Sequence, residues 1–202
     1  MENSEIFEQQ DAVPGKKKEN VFLSNLHDVV FLVAGVLLVF SILFRVVIVS
    51  GPSMKNTLID GDWLLLMGNV LYHNPKQGDV IVACKEAYEN GTPIVKRVIA
   101  TEGQVVDIDF ATGTVKVDDV VLNEPYILTP TDRDEGVQFP LTVPEGCLFV
   151  LGDNRGESKD SRSPEIGLID EREVLGKAIF IIFPGNDKGS IERDIGRIGV
   201  IS

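Results

Sequence analysis

At residues 47–58 the chain reads Val-Ile-Val-Ser-Gly-Pro-Ser-Met-Lys-Asn-Thr-Leu. Here a membrane-length apolar run stops, and Ser53 follows a turn made of Gly51 and Pro52. Because proline fixes its φ angle and glycine accepts the angles of tight turns, such a turn holds one side chain in a fixed, exposed direction. A serine beside glycine and proline is usually an ordinary polar turn residue. A catalytic Ser53 therefore needs support from the rest of the chain.

The composition predicts one globular domain with an appendage. A chain of 202 residues that is 44% hydrophobic is large enough for a buried core. Its formal net charge of -12 argues against a nucleic-acid partner, because few cations are present to neutralise phosphates. His27, His73, Cys84 and Cys147 are too few and too scattered for a metal site, so no metal or other cofactor is expected. The cysteines are expected to be buried apolar residues rather than a disulfide.

The apolar run predicts a single membrane-spanning helix over residues 29–49. Its length matches the roughly 20 residues that a helix needs to cross a bilayer, and Arg45 lies close enough to one end to reach the lipid headgroups. A cleavable secretory signal and a buried core helix are the alternatives. A cleavable signal lies nearer the N-terminus and ends in small residues, so an uncleaved anchor is preferred.

The orientation follows from the basic cluster Lys16-Lys17-Lys18, which lies on the N-terminal side of the run. By the positive-inside rule, residues 1–28 form a cytoplasmic tail and the large C-terminal part lies outside the membrane. The chain is therefore predicted to be a single-pass protein of the cell membrane, in contact with the lipid bilayer.

Beyond the serine turn, short apolar runs alternate with turn signals, which is typical of an all-β domain. The predicted fold is mostly β: a single N-terminal transmembrane helix followed by a predominantly antiparallel β-sheet domain over 50–184. A smaller excursion is expected at about 104–146, with residues 123–145 as a long surface segment, and a C-terminal tail at 185–202. The turn at 111–113 predicts a hairpin. Strands are predicted at 63–67, 80–84, 94–99, 105–110, 114–117, 147–151 and 178–183.

A catalytic serine needs a base, and the histidines are poor candidates. His27 lies at the membrane edge and His73 lies in a polar turn, so a Ser-His-Asp triad has little support. The serine between alternate glycines that marks a nucleophile elbow is also absent. The remaining base at neutral pH is a lysine whose amine is kept uncharged by burial.

Lys96 is the candidate base. On a strand over 94–99 it shares a face with Ile94 and Val98, while Arg97 lies on the opposite face. Apolar neighbours would disfavour the charged amine. The alternative is an edge-strand lysine that discourages aggregation, and the pattern alone favours that alternative.

The polar loop at 152–162 reads Gly-Asp-Asn-Arg-Gly-Glu-Ser-Lys-Asp-Ser-Arg and follows an apolar strand directly. Such loops at strand ends are a common place for function. Ser158 could orient a lysine amine through its hydroxyl, and Asp160 with Arg162 could form a charge-assisted pair that holds the loop. A solvated loop is the alternative.

Three stretches together resemble the type I signal peptidases, the leader peptidases. Residues 51–58 resemble the family's nucleophile segment, 95–99 its lysine strand, and 152–162 its Gly-Asp-Asn and Asp-Ser-Arg loop. The stretch Gly78-Asp79-Val80-Ile81-Val82 and the anchor before the serine also fit. The resemblance covers residues 29 to about 184, and these motifs in this order are highly specific.

The resemblance implies a role for each matching residue. Ser53 would be the nucleophile and Lys96 the general base, with Ser158 positioning the amine. The supporting residues would be Asp160, Arg162, Gly51 and Met54, of which Met54 lines the site. In some members a serine at the position of Gly51 supplies a second oxyanion donor, so that donor differs here.

Two departures from the family pattern stand out. The family usually has proline where Asn56 stands, and a Gly-Leu-Pro-Gly-Asp type corner where this chain has residues 100–104. The lysine base resembles the bacterial branch, and the single anchor with a short insertion resembles the Gram-positive members.

The resemblance implies a membrane-anchored serine endopeptidase that cuts signal peptides from exported preproteins, with small residues such as alanine at the first and third positions before the cut. Two alternatives remain open. One is a non-catalytic, membrane-anchored binding or regulatory relative. The other is a self-cleaving Ser/Lys protein of the SOS-repressor type, which the acidic charge and the lack of a DNA-binding helix pair disfavour.

Overall fold

The computed structural model describes residues 21–86, 88–186 and 193–201, so most of the predicted cytoplasmic tail lies outside the described residues. The chain divides into two compact units, one ending at Val39 and the other beginning at Phe40. In its described part, the first unit consists of the helix α1 as far as Val39.

Helix α1 runs from Val21 to Leu43. It contains one stretch, Asn25–Leu43, that is long and apolar enough to cross a membrane. The structure therefore differs from the predicted span of 29–49 at both ends.

The helix ends before Arg45 because the next five residues, Phe44–Ile48, form strand β1. Aromatic and β-branched side chains favour an extended backbone, and β1 pairs antiparallel with the next strand over its whole length. Arg45 accordingly lies at an exposed strand position rather than at the end of a membrane helix.

The regular structure of the second unit consists almost entirely of antiparallel strands, which confirms the predicted mostly-β fold. The main sheet has the order β1-β2-β11-β3-β4-β9-β10, with β12 also pairing with β11, and the smaller sheet has the order β7-β6-β5-β8. After β1, the strands are β2 (Trp63–Gly68), β3 (Val80–Cys84), β4 (Pro93–Ala100), β5 (Val105–Asp109), β6 (Thr114–Val117), β7 (Val120–Val121), β8 (Leu141–Thr142), β9 (Cys147–Leu151), β10 (Ile169–Asp170), β11 (Val174–Phe183) and β12 (Gly199–Val200).

Strand β11 holds the main sheet together. It pairs with β2 along most of its length, with β3 in its first half and with β12 near its end. A Cβ atom on Gly176 would lie 2.3 Å from the carbonyl oxygen of Met67, so the close approach of β11 and β2 requires glycine there.

The smaller sheet contains the predicted hairpin, since β5 pairs with β6 across residues 110–113. Its buried side chains form one cluster with Phe149 and Leu151 of β9. The surface segment predicted at 123–145 is more than a surface segment, because β8 joins this sheet and Thr131 and Val143 are almost completely buried. Backbone polar groups in that segment form hydrogen bonds with other parts of the fold. In a free surface excursion the same groups would bond to water instead.

The main sheet brings three segments of the chain together. β1 leads into the serine turn, β4 carries Lys96, and β9 leads into the polar loop at 152–162. The serine turn is fixed to the core of the sheet because Met54 and Leu58 are buried in the same apolar cluster as β2 and β3.

Candidate active site

The serine turn is a short hydrogen-bonded coil anchored by its apolar residues. Lys55 N donates to Pro52 O at 2.9 Å, and Leu58 N donates to Met54 O at 2.8 Å. With Met54 and Leu58 buried, Ser53 is left half-exposed beside the sheet. Gly51 precedes it with a φ of +90°, an angle that favours glycine.

Asn56 explains one departure from the family pattern. Its φ is +98°, which the proline ring excludes. Its side-chain Nδ2 donates to the carbonyl oxygen of Tyr126 at 3.0 Å. The turn at this position therefore takes a local conformation that proline could not adopt, and it still places Ser53 beside the lysine strand.

Lys96 reaches Ser53 from the neighbouring strand. Its Nζ lies 3.0 Å from Ser53 Oγ, and its side chain is only 4% exposed. Burial lowers the pKa of the amine to about 8, against an opposing contribution from the Asp160 carboxylate. A deprotonated amine within hydrogen-bonding distance of a serine hydroxyl can accept its proton. The edge-lysine alternative does not apply, since this lysine is buried.

Ser158 is buried close to the backbone of Ser53, and its hydroxyl bonds to neither Ser53 nor Lys96 in this structure. Its side chain is 1% exposed, and its Oγ has no hydrogen-bond partner among the described residues. Gly152 shows how close these groups are, because a Cβ there would lie 2.1 Å from Ser158 Oγ and 2.5 Å from Ser53 O. This unpaired buried hydroxyl can bond to the amine or to a water.

Asp160 and Arg162 form the pair predicted from the sequence. Arg162 Nε donates to Asp160 Oδ1 at 2.8 Å, and neither side chain is exposed. Asp160 Oδ2 also accepts from Gly152 N at 3.0 Å, while Arg162 Nη2 donates to Ser158 O at 3.2 Å. The pair thus fixes both the beginning of the loop and the backbone of Ser158.

A second buried pair was missed by the sequence analysis. Arg97 binds both carboxylate oxygens of Asp153, at 2.9 Å and 2.8 Å, with exposures of 2% and 0%. Asp153 Oδ2 also accepts from Thr57 Oγ1 at 2.5 Å. This pair joins the lysine strand, the polar loop and the end of the serine turn. The sequence indicates this pair only through Arg97, a charged residue that lies on the face of β4 opposite to Lys96.

Arg155 connects the same loop to the segment between strands β7 and β8 of the smaller sheet. Its guanidinium binds Glu124 and Thr131, and its Nε donates to Gly152 O at 3.0 Å. The side chain of Arg155 is fully buried, so Glu124 supplies the counter-charge that burial requires.

A cleft of about 340 Å³ opens beside the serine and the lysine. Its walls come from the chain around β1 and the serine turn on one side and from the first half of β4 on the other, and they are mostly apolar. Such a cleft can hold an extended apolar chain with one carbonyl near Ser53.

In the part of the chain that the structure describes, no three His, Cys, Asp or Glu side chains come together as possible metal ligands. Cys84 and Cys147 are both free thiols. Cys84 Sγ donates to Gly91 O at 2.8 Å.

Comparison with known proteins gives one consistent result. A family model described as "Signal peptidase, peptidase S26" matches residues 23–183. Signal peptidase I of Bacillus licheniformis is 34% identical over 178 residues, covering 84% of this chain and 93% of the relative. Signal peptidase I T of Bacillus subtilis is 34% identical over 180 residues, covering 85% and 91%. Probable signal peptidase I-1 of Synechocystis is 34% identical over 150 residues, covering 71% and 73%.

A crystal structure of a signal peptidase I from Enterococcus faecalis is also similar. It is 30% identical, covers 52% of this chain and 96% of its own, and superposes with a TM-score of 0.42. The family match over most of the chain and the identity to full-length relatives lead to one conclusion: this chain belongs to the signal peptidase family, peptidase S26.

Proposed function

We propose that Ser53 is the nucleophile and Lys96 the general base of a serine endopeptidase that removes signal peptides from exported preproteins. The family assigns the reaction, and the non-catalytic alternative is not favoured. The observation that carries the residue roles is the 3.0 Å distance between Ser53 Oγ and the Nζ of a lysine that is 4% exposed.

In this mechanism, neutral Lys96 takes the proton of Ser53 as the oxygen attacks the scissile carbonyl. The resulting ammonium returns the proton to the leaving amine, which departs with the mature protein. Lys96 then deprotonates a water that hydrolyses the acyl-enzyme. Ser158, whose Oγ has no hydrogen-bond partner among the described residues, would orient the amine by bonding to it.

The oxyanion would bind the backbone N–H of Ser53, as the resemblance implies. A second donor from Gly51 is not supported, because its N–H already donates to Asp60 Oδ1 at 2.8 Å. Met54 would line the cleft, and Asp160 with Arg162 would hold the loop that carries Ser158.

Cleavage of a synthetic precursor with alanine at the first and third positions before the cut tests these roles. We expect the wild type to cut after the first-position alanine, and Ser53→Ala and Lys96→Ala to lose at least about a thousandfold in kcat. Circular dichroism shows whether each variant is folded. Activity retained by Lys96→Arg would refute the base assignment, since a guanidinium does not give up its proton.

The pH profile reports the state of the base. Because Lys96 must be neutral, and burial lowers its pKa to about 8, kcat/KM should rise with pH and reach half its maximum near about pH 8. The measurement is initial cleavage rate at low substrate between about pH 6 and about pH 10. A half-maximum near the ordinary lysine value, or a profile without a rising limb, would contradict this assignment.

Removing the buried amine should stabilise the fold while it abolishes activity. Below about pH 8 the folded protein holds a desolvated charge, whereas the unfolded lysine titrates near about pH 10.4. Lys96→Met keeps the side-chain length without the charge, and at pH 7 it should raise the free energy of unfolding by roughly 3 kcal/mol.

The wild type gains stability as pH rises from about 8 to about 10.4, so the advantage of Lys96→Met should shrink across that window. Urea unfolding in detergent at both ends of the window measures it. Lys76→Met, which changes a lysine that the structure leaves exposed, serves as a control and should show no such pH dependence. An equal advantage of Lys96→Met at every pH would rule out the desolvated amine.

We also propose that α1 anchors the chain in a bilayer with the N-terminus in the cytoplasm and the peptidase unit outside, as in Gram-positive bacteria. The apolar stretch Asn25–Leu43 and the lysines at 16–18 support this orientation. A tag fused after Ser202 should be removed by protease added to intact protoplasts, while a tag before Met1 should be protected. The reverse result would overturn the orientation.

A further inference from the structure

The end of the chain, beyond the residues matched by the family, folds back onto the peptidase unit. We name residues 193–201 the C-terminal return. Its strand β12 pairs with β11 through Val200 opposite Phe180, and Ile201 N donates to Ile179 O at 3.2 Å. Part of the segment predicted as a C-terminal tail is thus paired with β11 of the main sheet.

From the C-terminal return, Arg197 reaches a buried carboxylate. Its Nη1 and Nη2 each lie 2.8 Å from an oxygen of Asp62, and the two side chains are 21% and 0% exposed. Asp62 also accepts from the backbone N–H of Ile59 and of Gly185, at 2.8 Å and 2.7 Å. A fully buried carboxylate needs such a counter-charge, so Arg197 is the cation that balances Asp62.

Arg197 also contacts the other end of the same loop. Its Nη2 donates to the carbonyl oxygen of Thr57 at 3.1 Å. One planar guanidinium therefore bridges the first and last residues of the loop at 57–62, whose first two residues also form the end of the serine turn. Only Arg can bind a carboxylate with two nitrogens and a carbonyl at once.

The loop at 57–62 in turn holds the residues that lead into the nucleophile. Val49 N donates to Asp62 O at 2.8 Å, and Gly61 N donates to Val49 O at 2.9 Å. Asp60 accepts from Gly51 N at 2.8 Å. These bonds fix the chain two to four residues before Ser53, while Thr57 fixes the chain four residues after it.

We propose that Arg197 is a positioning residue for Ser53: the C-terminal return clamps the loop at 57–62, and the loop holds the nucleophile in reach of Lys96. This inference deepens the proposed function and rests on the Ser53 and Lys96 roles. Arg197 does not line the cleft beside Ser53 and Lys96, so its loss should reduce the productive orientation of the hydroxyl rather than substrate binding.

The test compares Arg197→Ala with Arg193→Ala in the full chain. Arg193 belongs to the same return, but it contacts Pro184 O at 2.7 Å and the Phe183 ring instead of the loop. We expect Arg197→Ala to lower kcat about tenfold with KM changed less than about twofold, and Arg193→Ala to leave both near the wild type. Arg197→Lys, which keeps one donor, should recover part of the lost kcat.

The kinetics are to be measured well below the melting temperature of each variant, so that lost stability does not lower kcat. Wild-type kcat in Arg197→Ala, or the same loss in Arg193→Ala, would overturn the clamp. A rise in KM at unchanged kcat would also overturn it, since that pattern indicates substrate binding.

Hydrogen exchange gives a readout that does not depend on activity. Backbone amides in 49–62 should exchange at least about tenfold faster in Arg197→Ala than in the wild type, and Arg193→Ala should match the wild type there. Unchanged exchange in Arg197→Ala would refute the clamp whatever the kcat of that variant. If the wild type fails to cleave precursor but the exchange result holds, the proposed function fails and the clamp on this turn stands.

Discussion

Lys96 must be buried to act as a base, and a buried amine needs surroundings whose charges are already balanced. The buried arginines of the lysine strand and the polar loop meet that condition: Arg97 is paired with Asp153, Arg162 with Asp160, and Arg155 with Glu124. Lys96 itself makes one hydrogen bond, to Ser53 Oγ, and no ion pair among the described residues. Desolvation is the largest effect on the pKa of the amine, and it outweighs the Asp160 and Asp153 carboxylates, each bound to a guanidinium group, which raise that pKa.

The same ion pairs also build the geometry. None of the three segments that meet at the site is rigid in isolation: one is a turn, one an extended strand and one a loop without regular structure. Arg97 and Asp153 connect all three, and Arg162 fixes the loop backbone at Ser158. Buried pairs of this kind contribute little net stability. Their value here is that each bond has one geometry, so the hydroxyl and the amine meet at one distance.

Features that depend on neighbouring residues could be predicted from the sequence. The serine turn, the lysine strand, the hairpin and the pair of Asp160 with Arg162 each lie within a few residues, and the longer strands show their periodicity directly. The two-residue strands β7, β8, β10 and β12 are too short to show any. The contacts of Arg97 with Asp153 and of Arg197 with Asp62 join residues far apart in the chain, so only the folded structure brings them together.

The end of the anchor shows a different limit. The run through residues 44–48 is as apolar as the helix before it, and hydropathy alone does not separate a membrane helix from a strand of aromatic and β-branched residues. Pairing with β2 decides the outcome, because it satisfies the backbone of β1 within the sheet. Ser158 shows a similar limit for one side chain. The sequence indicates that Ser158 lies in the loop at the site, but it does not indicate which hydrogen bond its hydroxyl makes.

The adjacent cations Lys96 and Arg97 differ in chemistry, so β4 functions in only one register against β3. Lys96 and Arg97 point to opposite faces of β4. A shift of one residue against β3 would bring Arg97 or Val95 to the place beside Ser53, and correspondingly Val98 or Lys96 to the place beside Asp153. The shifted strand would still be apolar enough to pair. Asp153 accepts two parallel hydrogen bonds from Arg97, which neither a valine nor a single ammonium can replace. The shifted register is therefore less stable. The ion pair that positions the site thereby also favours the correct register of β4 against β3.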